Sequence, residues 1–113
     1  MKKTLEELQK ETIATFKEYE KTRRRPWTYR IAAFDLSYQV GSLAKRILQI
    51  EGDRFGENLS REELKTKTAD ELVDIMAEVV FIAHELGIDL EQAWQNMLES
   101  DKKKVSEQSQ QHG

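Results

Sequence analysis

Between Leu36 and Ile50 the apolar residues Leu36, Val40, Leu43, Ile47 and Ile50 recur at alternating steps of four and three. On a helix turning 100° per residue such positions share one face, whereas on a strand they would scatter over both. Leu72, Ile75, Val79, Ile82 and Leu86 repeat the rhythm further along. With one Pro and five Gly in 113 residues, little in the interior breaks a helix. The 38% apolar and 35% charged residues suit helices that each bury one stripe and wet the other.

Local signals divide the chain into four such helices. The first is expected over about residues 4–22, where Leu5, Leu8, Ile13 and Phe16 form a sparse stripe and Thr4 makes a capping-box pattern with Glu7. The segment from Lys21 to Trp27 interrupts it, because the residue before Pro26 is pushed away from helical geometry. A second helix is expected over 28–51, closed by Gly52. Residues 52–67 read as a polar connection with room for one helical turn at Ser60-Arg61-Glu62-Glu63. The third helix is expected to start near Thr68, with Glu71 completing its capping box, to bury the stripe from Leu72 to Leu86, and to stop at Gly87. Asp89 then caps a fourth helix running from Leu90 to about Val105 and burying Ala93, Trp94, Met97 and Leu98. Residues 106–113 hold no large apolar side chain and read as a disordered tail. The expectation is one all-α domain over 1–105, a four-helix bundle whose modest core is completed by oligomerisation.

Several function classes recede on composition. A net charge of −3 argues against a dedicated nucleic-acid binder. With no cysteine, disulfides and thiolate metal sites are impossible. Neither a signal-peptide pattern at the N-terminus nor an apolar run long enough for a membrane span is present, so a cytoplasmic protein is expected.

The expected third helix carries the best candidate chemistry. Glu71, Asp74, Glu78 and Glu85 fall within an arc of about 60°, at the edge of the apolar stripe. Carboxylates at such a boundary are partly desolvated and can converge on a hard cation such as Mg²⁺. The competing reading is that Glu71 serves the Thr68 cap and the others form a solvated face. Arg23, Arg24 and Arg25, with Trp27 and Tyr29 beside them, could hold a phosphate and stack a base, or could be a solvated linker. Trp27 and Trp94 serve equally well as packing anchors. His84 lies about 110° round the helix from the acidic arc, and His112 is in the tail, so neither is expected to be a ligand.

Three runs extend the reading: Leu36-Ser37-Tyr38-Gln39-Val40-Gly41-Ser42-Leu43-Ala44-Lys45, Ala69-Asp70-Glu71-Leu72-Val73-Asp74-Ile75, and Leu86-Gly87-Ile88-Asp89-Leu90-Glu91-Gln92-Ala93. Together, over roughly residues 30–105, they resemble the MazG-like nucleotide pyrophosphohydrolases. The resemblance implies an all-α, usually oligomeric fold. It also implies Mg²⁺-dependent cleavage of nucleoside triphosphates to monophosphate and pyrophosphate. The family's second motif, Glu-x-x-Asp, is kept as Glu71 and Asp74. Its first, Glu-Glu-x-x-Glu, is not: those positions hold Tyr38, Gln39 and Ser42. On the last helix a Lys, an Asn and an Arg of the family fall near Met97, Asp101 and Lys104, which leaves Lys104 as a phosphate contact.

The loss bears on the chemistry, since metal ions supply most of the charge stabilisation in pyrophosphohydrolysis and generate its nucleophile. Two acids on one helix hold at most one ion weakly. On the second helix Asp35, Gln39, Ser42 and Arg46 lie within about 60° of one another. If that stripe faces Glu71 and Asp74, as the resemblance implies, Arg46 can stand where an ion would sit, and Asp35 can supply a displaced carboxylate. Arg46 can equally lie exposed along the core edge. Two functions follow: a pyrophosphohydrolase with weak or altered activity, or a non-catalytic nucleotide-binding or protein-interaction module on the same fold.

Overall fold

The computed structural model describes residues 2–22, 26–52 and 58–112, the side chains of 111 and 112 excepted. Among these residues the fold is all-α, with four helices in the expected order: α1 (Leu5–Glu20), α2 (Tyr29–Glu51), α3 (Arg61–Leu86) and α4 (Leu90–His112). Most helix ends follow from local chemistry. Thr4 accepts from the Glu7 N–H in a complete capping box. Thr28 accepts from Ile31 N–H at 3.2 Å. Gly52 and Gly87 close α2 and α3 in the left-handed conformation, at φ 82° and 69°.

Two boundaries depart from expectation. Helix α3 begins at Arg61 rather than near Thr68, and Ser60 is its N-cap, accepting from Glu63 N–H at 3.1 Å. Two capping-box patterns competed, and nothing between them breaks a helix, so the earlier cap wins. Thr68 is left in mid-helix, where its hydroxyl donates to the Leu64 carbonyl at 2.7 Å. Helix α4 continues to His112, past the expected end at Val105. Residues 106–110 are polar but include no Gly or Pro to stop a helix.

Packing is concentrated in three helices. Helices α2 and α3 form an antiparallel hairpin, and α1 lies against the second half of α3. There Phe16 and Phe81 meet with ring centroids 5.0 Å apart. Phe81, at 2% exposed, is the deepest large side chain among the described residues. Helix α4 leaves the hairpin after a short turn and packs on no other helix to a comparable extent.

The buried faces correct the expectation. On α3 the stripe expected inside lies largely outside: Leu72, Val79 and Leu86 are exposed, with only Ile75 and Ile82 half-buried. On α2, Val40 and Ile47 are likewise exposed. Ala93, Trp94, Met97 and Leu98 of α4, expected to be buried, are exposed as well. What α2 and α3 turn toward each other is substantially polar.

Candidate functional site

A polar seam runs along the α2–α3 hairpin. From α2 it takes Asp35, Gln39, Ser42, Arg46 and Gln49, all half-buried or buried. Their steps of four, three, four and three are those of a helix seam facing a partner helix. From α3 it takes Glu71 and Glu78, seven residues apart, with Asp74 exposed at the rim. The α2 stripe therefore meets Glu71 and Glu78 of the acidic arc, while Asp74 stays at the rim and Glu85 lies outside it.

At one end of the seam, Arg46 Nε lies 3.8 Å from Glu71 Oε1, with both side chains about one-sixth exposed. This is an ion pair without a hydrogen bond. The guanidinium is held in place by Nη1, which donates to Gln49 Oε1 at 3.1 Å. Gln49 is itself only 5% exposed. It continues the rhythm that begins at Asp35, a step the sequence reading stopped short of.

At the other end, Glu78 is 6% exposed. Burial raises its pKa to about 8, helped by a side-chain hydrogen bond with Asp35 and by the negative charges of Asp35 and Asp74. At neutral pH burial therefore favours its protonated form, which shares a side-chain hydrogen bond with Asp35. Its second oxygen, Oε2, is buried with no hydrogen-bond partner. Glu78 was one of four acids in the arc, and nothing in its spacing distinguished it. Its depth comes from the hairpin packing.

The remaining candidates disperse. Tyr38 is 70% exposed and does not face the seam, so of Tyr38, Gln39 and Ser42 only the last two take part in it. Glu85 is exposed. Arg23, Arg24 and Arg25 lie outside the described residues, and Trp27 is half-buried. Lys104 is exposed on α4, which packs far less on the hairpin than α1 does, and no ion pair between it and the acids is seen among the described residues. His84 is exposed and lines a groove of about 370 Å³ between α1 and the α3–α4 turn, together with Lys10 and Lys17.

Among the described residues no three acids or histidines converge in a metal-binding arrangement. Glu71 already faces the Arg46 guanidinium. What the arrangement does well is neutralise itself: one carboxylate by Arg46, another by protonation.

Comparison with protein-family models, with curated proteins and with solved structures found no match. Among the described residues no helix is long and apolar enough to cross a membrane.

Proposed function

We propose that this chain is a non-catalytic member of the MazG-like group, a helical module in which metal-dependent pyrophosphohydrolysis has been lost. The observation that carries the reading is the Arg46–Glu71 ion pair. A guanidinium held between Glu71 and Gln49 puts a fixed positive charge beside one of the two acids kept from the family's metal motifs. Coulomb repulsion then opposes a divalent cation at that spot, strongly so in a half-buried setting. The substitutions at Tyr38, Gln39 and Ser42 support the same reading, because they remove the carboxylates that would outweigh the guanidinium.

The test is pyrophosphate release from each of the common nucleoside triphosphates with millimolar Mg²⁺ or Mn²⁺. No release above the protein-free rate is expected. Turnover that Asp74→Ala abolishes, with helicity unchanged, would overturn the proposal in favour of a weak enzyme using Glu71 and Asp74. Nucleotide binding without turnover, seen by calorimetry with a non-hydrolysable triphosphate, would identify the module as a nucleotide binder. Its absence would leave protein interaction as the role.

A further inference from the structure

The groove of about 370 Å³ between α1 and the α3–α4 turn lies outside the hairpin seam and has the size of a small-ligand site. Phe16 stands against Phe81, and Leu5 shares a shallow groove with Trp94 and Leu98, so α1 runs antiparallel to α3. Steps of four along α1 put Gln9, Ile13 and Lys17 in one row over about 12 Å of the groove. Val80 and His84, one turn apart on α3, form the facing wall, and Ile88 and Leu90 close the end beyond His84. By this register Lys17 stands near the level of Val80, about one turn from His84.

Apart from the Gln9 amide, the body of the groove offers little to a polar ligand. Ile13, Val80 and Leu90 are half-buried there, and Ala83 is buried. The carbonyls that end α3 are already taken: Ala83 accepts from Ile88 N–H at 2.8 Å, and His84 from Gly87 N–H at 3.1 Å.

The charged groups differ in what they leave free. Lys10 is paired with Glu6 at 3.1 Å. Asp89 is engaged in starting α4, where it accepts from Gln92 N–H at 3.1 Å. Among the described residues Lys17 and His84 have no ion-pair or side-chain hydrogen-bond partner. The groove therefore has an apolar body, both its acids engaged, and two unengaged donors toward one end.

We propose that this groove binds an amphipathic monoanion, a single-chain aliphatic carboxylate, with its head between Lys17 and His84 and its chain running toward Ile88 and Leu90. A carboxylate accepts from the Lys17 ammonium and from an imidazole N–H, which His84 offers in either protonation state. A polar body would leave its own groups unpaired against Ile13 and Val80, whereas an aliphatic chain gains by leaving water. A cationic head would meet the Lys17 ammonium. No seam residue takes part, so the inference stands apart from the loss of catalysis.

The test is a methyl-detected NMR titration of the full chain with three eight-carbon probes: octanoate, 1-octanol and octylammonium. Octanoate is expected to shift the methyl signals of Ile13, Val80 and Ile88 saturably, and to bind roughly three- to tenfold more tightly than octanol. Octylammonium is expected to bind more weakly than either. Lys17→Ala with His84→Ala changes two exposed side chains. It should bring octanoate down to the affinity of octanol and leave octanol unchanged, which also shows that the groove is intact. Absence of saturable shifts at Ile13, Val80 and Ile88 would overturn the proposal, as would shifts confined to Val40, Ile47 and Leu72 on the outer face of the hairpin. Equal affinity for the three probes, or a double variant that binds octanoate as the parent does, would overturn it too.

Discussion

At the scale of single residues, the seam is a set of charges made tolerable in different ways. Arg46→Ala removes the cation beside Glu71 and the bond to Gln49 together. Leaving a half-buried carboxylate without its partner costs about 1–3 kcal/mol, to be read as a lower urea midpoint at pH 7. Arg46→Met with Glu71→Leu should recover most of that loss, because replacing both partners of a buried pair by apolar groups is close to neutral. Glu78 makes the opposite prediction about pH. Its pKa is raised in the folded state to about 8 from an ordinary 4.5. The proton therefore favours folding: its contribution is fully present below about pH 4.5 and is lost as pH rises toward and through 8. Glu78→Gln keeps a neutral donor and removes the titration. Its melting temperature should change less than the parent's between pH 5 and pH 9 and exceed the parent's at pH 9. Parallel pH profiles for the two proteins would show that Glu78 titrates normally.

At the scale of elements, what was legible in the sequence was whatever is decided locally. The Thr4 box, the Gly52 and Gly87 stops and the Asp89 cap all depend on a few neighbouring residues, and each stands where the pattern placed it. Gly87 permits a direct check. Its φ of 69° is left-handed, and a Cβ there would meet nothing within 4 Å. Gly87→Ala should thus cost only the conformational term, about 1–2 kcal/mol, measured by denaturant unfolding. The faces of the helices were less legible. On α3 the acidic arc and the apolar stripe are both periodic, and periodicity states which residues share a face without stating which face turns inward. The Ser60 and Thr68 boxes presented a similar tie, broken by the absence of any helix stop between them. The polarity of residues 106–110 is no bar to helix either, because they include no Gly or Pro and simply extend the helix that Asp89 starts.

At the scale of the whole molecule, three helices share a small core and a fourth stands apart from it. A chain that completes its core by pairing has a stability tied to its own concentration. Raising the protein from micromolar to hundreds of micromolar should therefore raise the melting temperature. A concentration-independent value would argue for a self-sufficient monomer. The seam lies inside the hairpin of a single chain, so its charge balance needs no second copy. We propose that Arg46 and the proton on Glu78 balance the charge of this seam without a metal ion. It is tested most directly by the melting temperature with and without Mg²⁺. A bound ion at 100 times its dissociation constant would stabilise the fold by about 2.7 kcal/mol. The melting temperature should be the same in 10 mM Mg²⁺ and in excess chelator at fixed ionic strength. A rise with Mg²⁺ that disappears in Asp74→Ala would contradict it.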